Sequence, residues 1–283
     1  DTSNSLTEPN SCCAGGIIGY SEYNNSEIRD CESNANISAS TSADKAFAYV
    51  GGIAGYTQNK SIKDCSVTGS IIANGYYTYI GGIAGSNSAQ ITNCHTDGSV
   101  KVGETNKRNT FLPYLSYIGG IVGRNYKTIK NCYSTANIIS EGCSYNYIGG
   151  IAGDNVAKSS IQDCYTTGYV SSAGTQNRAG GIVGNNQNTV LNCYSTGKIE
   201  VTNAQVSSGY AGGIAGINNK SCSIENCLGL NVAGIIGTSI GRIIGYNYSG
   251  GTGTKNFAHT EIPGNWDTSK TELNGSDWED MQT

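Results

Sequence analysis

Gly51-Gly52-Ile53-Ala54-Gly55 decides how this chain is to be read, because the five residues return at nearly even intervals. The same string stands at Gly81 to Gly85, Gly149 to Gly153 and Gly212 to Gly216. It becomes GGIVG at Gly119 and Gly180 and GGIIG at Gly15, and Gly241-Arg242-Ile243-Ile244-Gly245 is a worn eighth copy. Self-similarity at a period of about thirty residues marks a solenoid, propeller or array, in which each unit buries its apolar face against the next.

Outward from each copy the unit reads Tyr-Ile-Gly-Gly-Ile-Ala-Gly, a polar turn, then Ile-x-[Asp/Asn]-Cys-x-x-x-Gly-x-Ile. The cysteines form a column: Cys31, Cys65, Cys94, Cys132, Cys164, Cys193 and Cys227. The residue before each is Asp30, Asp64, Asn93, Asn131, Asp163, Asn192 or Asn226, and three before the cysteine stands Ile or Val, as at Ile62, Ile91 and Val190. Residues three apart in an unbroken strand face opposite sides, so Ile and Cys reach one core only across a bend. Asp and Asn tolerate the left-handed backbone and bond nearby peptide groups, which suits them to that corner. Past the corner the alternation is clean, with Cys, a small residue such as Ser134, Gly or Ala, and an aliphatic such as Ile138 on one side. The Gly-Gly pair allows a second tight bend between two inward Ile residues.

Apolar residues do not recur at three and four, and the glycines would break a helix laid over them. The expected fold is all-β, a single parallel β-solenoid of about eight rungs, roughly 35 to 40 Å long at ~4.8 Å per strand. Right-handed coiling follows from the general crossover preference. The divisions are an N-terminal cap at 1–14 holding Cys12 and Cys13, the solenoid at 15–258, and a cap or linker tail at 259–283. Caps block the open strand edges that a solenoid otherwise exposes. In the last rung Phe257 falls at the cysteine place, with Asn247 matching the turn residues Asn87, Asn125, Asn155, Asn186 and Asn218; Trp266 and Trp278 follow in the tail. Insertions at Ser38 to Ala48, Lys101 to Ser116 and Val201 to Gly209 share one place in the unit, either a binding edge or tolerated surface loops.

The 283 residues include 40 Gly, 3 Pro and 13% charged residues, with a net charge of −4. That balance supplies no basic stripe and excludes nucleic acid as the expected partner. No apolar run is long enough for a membrane span, and Asp1 opens no signal-peptide pattern, which reads as a trimmed ectodomain within a longer multidomain protein. Low charge with abundant Ser, Thr, Asn and Tyr fits an extracellular setting.

The GIAG, GIVG and GIIG cores followed by Ile-x-[Asp/Asn]-Cys-Tyr-Ser-Thr resemble the GLUG repeat family from about Gly15 to Ala258, with Ile in place of the Leu for which the motif is named. That family occurs in bacterial surface proteins and beside the peptidase unit of immunoglobulin-A-specific metallopeptidases. The resemblance implies an adhesin-like or stalk module on a bacterial surface, brings no catalytic residues, and the HExxH zinc motif of such peptidases is absent from this chain.

Eleven cysteines raise disulfide and zinc readings. Parallel in-register neighbours stand near the ~4.8 Å strand spacing, wider than the roughly 3.8 Å Cβ separation of a disulfide. No CxxC occurs, so the column is read as buried free thiols and no metal or cofactor is expected. Off the column lie Cys12, Cys13, Cys143 and Cys222, where a pair remains open. His95 with Asp97 can be drawn as part of a triad, and Asp30 with Asp64 as a stacked acid pair, but the strand and corner roles of these places account for both. An outward strip follows the cysteines: Tyr133, Tyr165 and Tyr194, with Thr135, Thr167 and Thr196 two residues on. Such a strip either binds a glycan or host protein or stacks to stabilise its sheet; ice binding is the remote third reading. The expected function is a non-enzymatic adhesion or spacer module, with a carbohydrate-active solenoid enzyme or a purely structural stalk as alternatives.

Overall fold

The computed structural model describes residues 11–22, 25–41, 43–103, 114–202, 208–259, 261–263 and 278–281, the last four as backbone. These residues are all β, and no helix is long and apolar enough to cross a membrane. The strands stack in four parallel sheets, here A to D. One level runs through Tyr77–Gly81 in sheet A, Ala84–Asn87 in B, Gln90–Thr92 in C and His95–Thr96 in D, then returns to A at Ser99–Val102. Sheets B and C each hold eight strands, so the solenoid makes about seven turns from first level to last.

Sheet A holds 13 strands because each level enters and leaves through it. Where the connection is short the two passages fuse into the single strands Asn137–Gly149 and Val170–Gly180. The insertions all fall at this junction; 104–113 and 203–207 lie outside the described residues. Register is identity over identity: Tyr79 pairs with Tyr117, Ile80 with Ile118 and Gly81 with Gly119.

One continuous core fills the bore. Ile80 and Ile83, either side of Gly-Gly, are both fully buried, as are Ile91 before the corner and Val100 after it. Each such side chain contributes roughly 1.5–3 kcal/mol by leaving water. The bend at Gly-Gly is as expected, but its glycines are there for space. None of the motif glycines has a left-handed backbone. A Cβ on Gly82 would stand 2.0 Å from the Gly120 carbonyl oxygen and 2.2 Å from Thr96 Oγ1, and one on Gly85 would stand 2.6 Å from the Val50 nitrogen.

The Asx corner is real. Asp30, Asp64, Asn93, Asn131, Asp163, Asn192 and Asn226 all have φ between 52° and 54°. In the last level the left-handed residue is Lys255, with φ 54°. Register places Phe257 opposite Leu228, so Asn256 occupies the cysteine place and Phe257 the outward place after it. The expected position of Phe257 is thus wrong by one residue, because a lysine took the corner that Asn was expected to mark. Asn256 is buried there, accepting from the Cys227 N–H at 2.9 Å and donating to the Ile224 carbonyl at 2.7 Å.

The ends differ from their expected boundaries. Cys12–Gly15 is already the first strand of sheet A, paired with Ala48 to Gly51, so Cys12 and Cys13 belong to the first level. At the other end Trp278–Met281 adds a ninth strand to sheet D, parallel to Asn256–His259. Trp266 lies outside the described residues.

Candidate functional site

Sheet D brings Tyr133, Tyr165 and Tyr194 into one column, Tyr133 opposite Tyr165 and Tyr165 opposite Tyr194. Their rings are parallel, 4.9 Å apart with interplanar angles of 7° and 2°. The stack is longer than the sequence reading had it, since His95 lies 4.7 Å from Tyr133 at 7°. Each ring covers its neighbour's face, so a partner meets ring edges and phenol hydroxyls repeated at the strand spacing. Burial pushes the Tyr133 and Tyr194 phenols above their usual range, keeping them neutral donors. Thr135 and Thr167 are exposed and Thr196 half-exposed beside the row. Thr135 donates to Asp97 Oδ1 at 2.9 Å, and Asp97 Oδ2 is 3.6 Å from His95 Nε2. The His95–Asp97 contact therefore lies at the surface, at the foot of the ring column.

The corner side chains form an exposed stack. Asn93 donates to Asp64 at 2.9 Å, Asn131 to Asn93 at 3.3 Å, Asn192 to Asp163 at 2.9 Å and Asn226 to Asn192 at 3.2 Å. Asp64 thus accepts a ladder bond from Asn93, and Asp30 and Asp64 serve as corners.

All eleven cysteines are free thiols, including the four off the column. Those of the column from Cys65 onward are buried, and each does more than fill space. Cys65 donates to the Lys63 carbonyl at 3.1 Å, Cys132 to Lys130 at 3.2 Å and Cys164 to Gln162 at 3.0 Å. The thiol thereby closes the corner across the left-handed residue, a role the reading as a small hydrophobe missed. The neighbouring Cys132 thiol, with burial, pushes Cys94 up to about 12. Burial alone pushes Cys143 up to about 11, against the pull of Ser116 and Ser140.

A second aromatic feature has no counterpart in the sequence reading. Sheets A and B meet so closely at Gly-Gly that their outward residues touch. On sheet A, Tyr49, Tyr79, Tyr117 and Tyr147 stack at 4.8 to 5.0 Å, and Arg178 continues the column 4.5 Å above the Tyr147 ring. On sheet B, Arg124 lies over Tyr117 at 5.1 Å and pairs with Asp154 at 3.1 Å. Asn185 and Gln187 each donate to Asp154 Oδ1 at 2.8 Å, which leaves this buried carboxylate well bonded. Burial pushes its pKa up, opposed by Asn185, Gln187 and Arg124. The seam is a small second core outside the bore.

Comparison with known families finds the GLUG motif, whose family model matches residues 10–38, 48–72, 76–101, 114–139 and 175–202. No curated protein and no solved structure matches the chain.

Proposed function

Because the chain is a GLUG-repeat protein built as a parallel β-solenoid, we propose that it is a non-enzymatic adhesion or spacer module displayed on a bacterial surface, with the sheet-D row as its docking strip. The observation that carries this reading is the parallel ring column from His95 to Tyr194. An in-register stack makes a stiff body, and the column gives that body a straight, repeating, amphipathic edge. Because the ring faces are mutually covered, the strip fits a flat protein surface that accepts from phenol hydroxyls better than a sugar that needs an open ring face. The bonded ladders along every sheet favour the spacer role as well, since they resist bending whether or not a ligand is held.

The test is a host-protein and glycan array probed with the full chain and with the combined variant Tyr133→Ser, Tyr165→Ser, Tyr194→Ser. Binding to a protein ligand is expected to fall at least about tenfold, the scale of losing interface aromatic anchors, while the β-type circular dichroism is kept. Unchanged binding removes the strip from the reading and leaves the spacer. Turnover of any member of a polysaccharide panel overturns the non-enzymatic assignment.

A further inference from the structure

The two ends of the solenoid are unlike. In the first level Ala14, Ile18, Cys31 and Ile37 are only partly buried at the margin of the core, whereas their counterparts one level on, Val50, Ala54, Cys65 and Ile71, are at most 1% exposed. The first level also offers unpartnered strand edges in every sheet among the described residues. Its rim carries Asp30 and Glu32, both exposed, while the last level carries Lys255 in the same corner column that Asp30 begins.

We propose that the first level of one copy stacks on the last level of another, head to tail and in register, and that strand Trp278–Met281 holds this association in check. Each column would run on across the junction. Tyr246 meets Tyr20, and Ile244, which is 1% exposed in one core with Ile262, meets Ile18 once Ile262 is displaced, because these are the last and first members of two sheet-B columns. Tyr246 is 40% exposed and thus open to a further ring. Asn247 ends a side-chain stack that donates toward this end of the molecule, and Ser21 offers it a hydroxyl. Lys255 and Asp30 would lie one strand spacing apart, ~4.8 Å, and among the described residues neither has an ion-pair partner.

The check on this stacking lies in the segment after the last level, where Ile262 is 2% exposed in one core with Ile243 and Ile244 and a further strand closes sheet D. Sheet A ends at Ile235–Ile236 and Ser239–Gly241, B at Ile244–Asn247 and C at Thr252–Thr254, but in D the next place is taken by Trp278–Met281. Its Glu279 is in register with Phe257, the column in which Glu32 holds the first place. The tail strand therefore sits where Glu32–Ser33 of another copy would pair. Unpaired strand edges template further strands, and a heterologous contact that does not close produces linear fibres. The inference is independent of the ring column, which none of the substitutions below touches.

Sedimentation velocity over a concentration series tests it, using the full chain and Glu279→Pro, which removes a backbone donor from the tail strand. Glu279→Pro is expected to form linear oligomers that lengthen with concentration where the unsubstituted chain is monomeric. Adding Asp30→Lys should weaken that association about fivefold, the scale of a surface ion pair turned repulsive, and adding Lys255→Asp as well should restore it. A folded Glu279→Pro chain that stays monomeric, or oligomers blind to Asp30→Lys, overturns the proposal. Met281→Pro is the second releasing variant. Independently of both, residual association of the intact chain at millimolar concentration must fall with Asp30→Lys and return with Lys255→Asp; no such dependence overturns it equally.

Discussion

The asparagine stack at the turn between sheets B and C and the Asx stack at the corner between C and D repeat at the same strand spacing, yet they admit different residues. In the first, Asn87, Asn125, Asn155, Asn186 and Asn218 are fully buried, and each donates to the next, ending on Asn247, at 2.8 to 3.2 Å. No Asp occurs in that run, because each member must both donate onward and accept from behind, and a carboxylate there would be a buried charge without a donor of its own. At the corner the side chains are exposed and Asp stands at three places. There the requirement is on the backbone, which is left-handed at every level, and either Asx residue meets it. The stacks even donate in opposite directions, toward the C-terminal end in the first and toward the N-terminal end in the second. One residue type thus serves two purposes, and burial decides which chemistry is permitted.

That contrast is broken most severely by Asn155→Leu. It removes the acceptor used by Asn125 and Ser159 and the donor used by Asn186. Several buried polar atoms lose partners, so urea unfolding should show a loss of about 3–5 kcal/mol. At the corner, Asn131→Val should cost about 1–2 kcal/mol, the penalty for a side chain that disfavours the left-handed backbone. Asn131→Gly should be close to neutral in the same measurement. If Val and Gly behave alike there, the backbone account of the corner fails. The smallest effect concerns Asp154, the one acidic side chain buried among the described residues. Its folded pKa is raised by burial, so the native state binds this proton more tightly than the unfolded chain. The stability it contributes is present at low pH and is lost as pH rises through the folded value. The stability of the unsubstituted chain relative to Asp154→Asn should therefore rise as the pH falls from neutral toward the ordinary carboxyl range. Parallel urea midpoints at the two pH values check the sign.

What was legible in the sequence follows the same division. The level structure, the corner and both inward Ile positions could be read because the same residue recurs at each level, and stacking makes recurrence visible. The seam between sheets A and B could not. Its sheet-B column runs Tyr56, Ser86, Arg124, Asp154 and Asn185, with no identity to follow, although Tyr56 touches Tyr49, Arg124 lies over Tyr117 and Asn185 accepts from Arg178. The glycines were found and their cause was not, since a missing Cβ looks the same in sequence whether it frees the backbone or clears space. In the last level, one lysine at the corner was enough to shift the alignment of Phe257. The ring column was visible as three tyrosines, but the covered faces, which decide what it can hold, depend on ring orientation and cannot be read from spacing.

Each level is joined covalently to the next only by the main chain where it leaves sheet A and re-enters it, since all eleven cysteines are free. A load drawn along the long axis must then be borne by backbone bonds around each perimeter until an end level peels away. Each such event frees about thirty residues, or ~100 Å of slack at ~3.3–3.6 Å per residue. The molecule should yield as a ratchet of similar steps, longest at the levels that carry insertions, lengthening several-fold before its tether is lost.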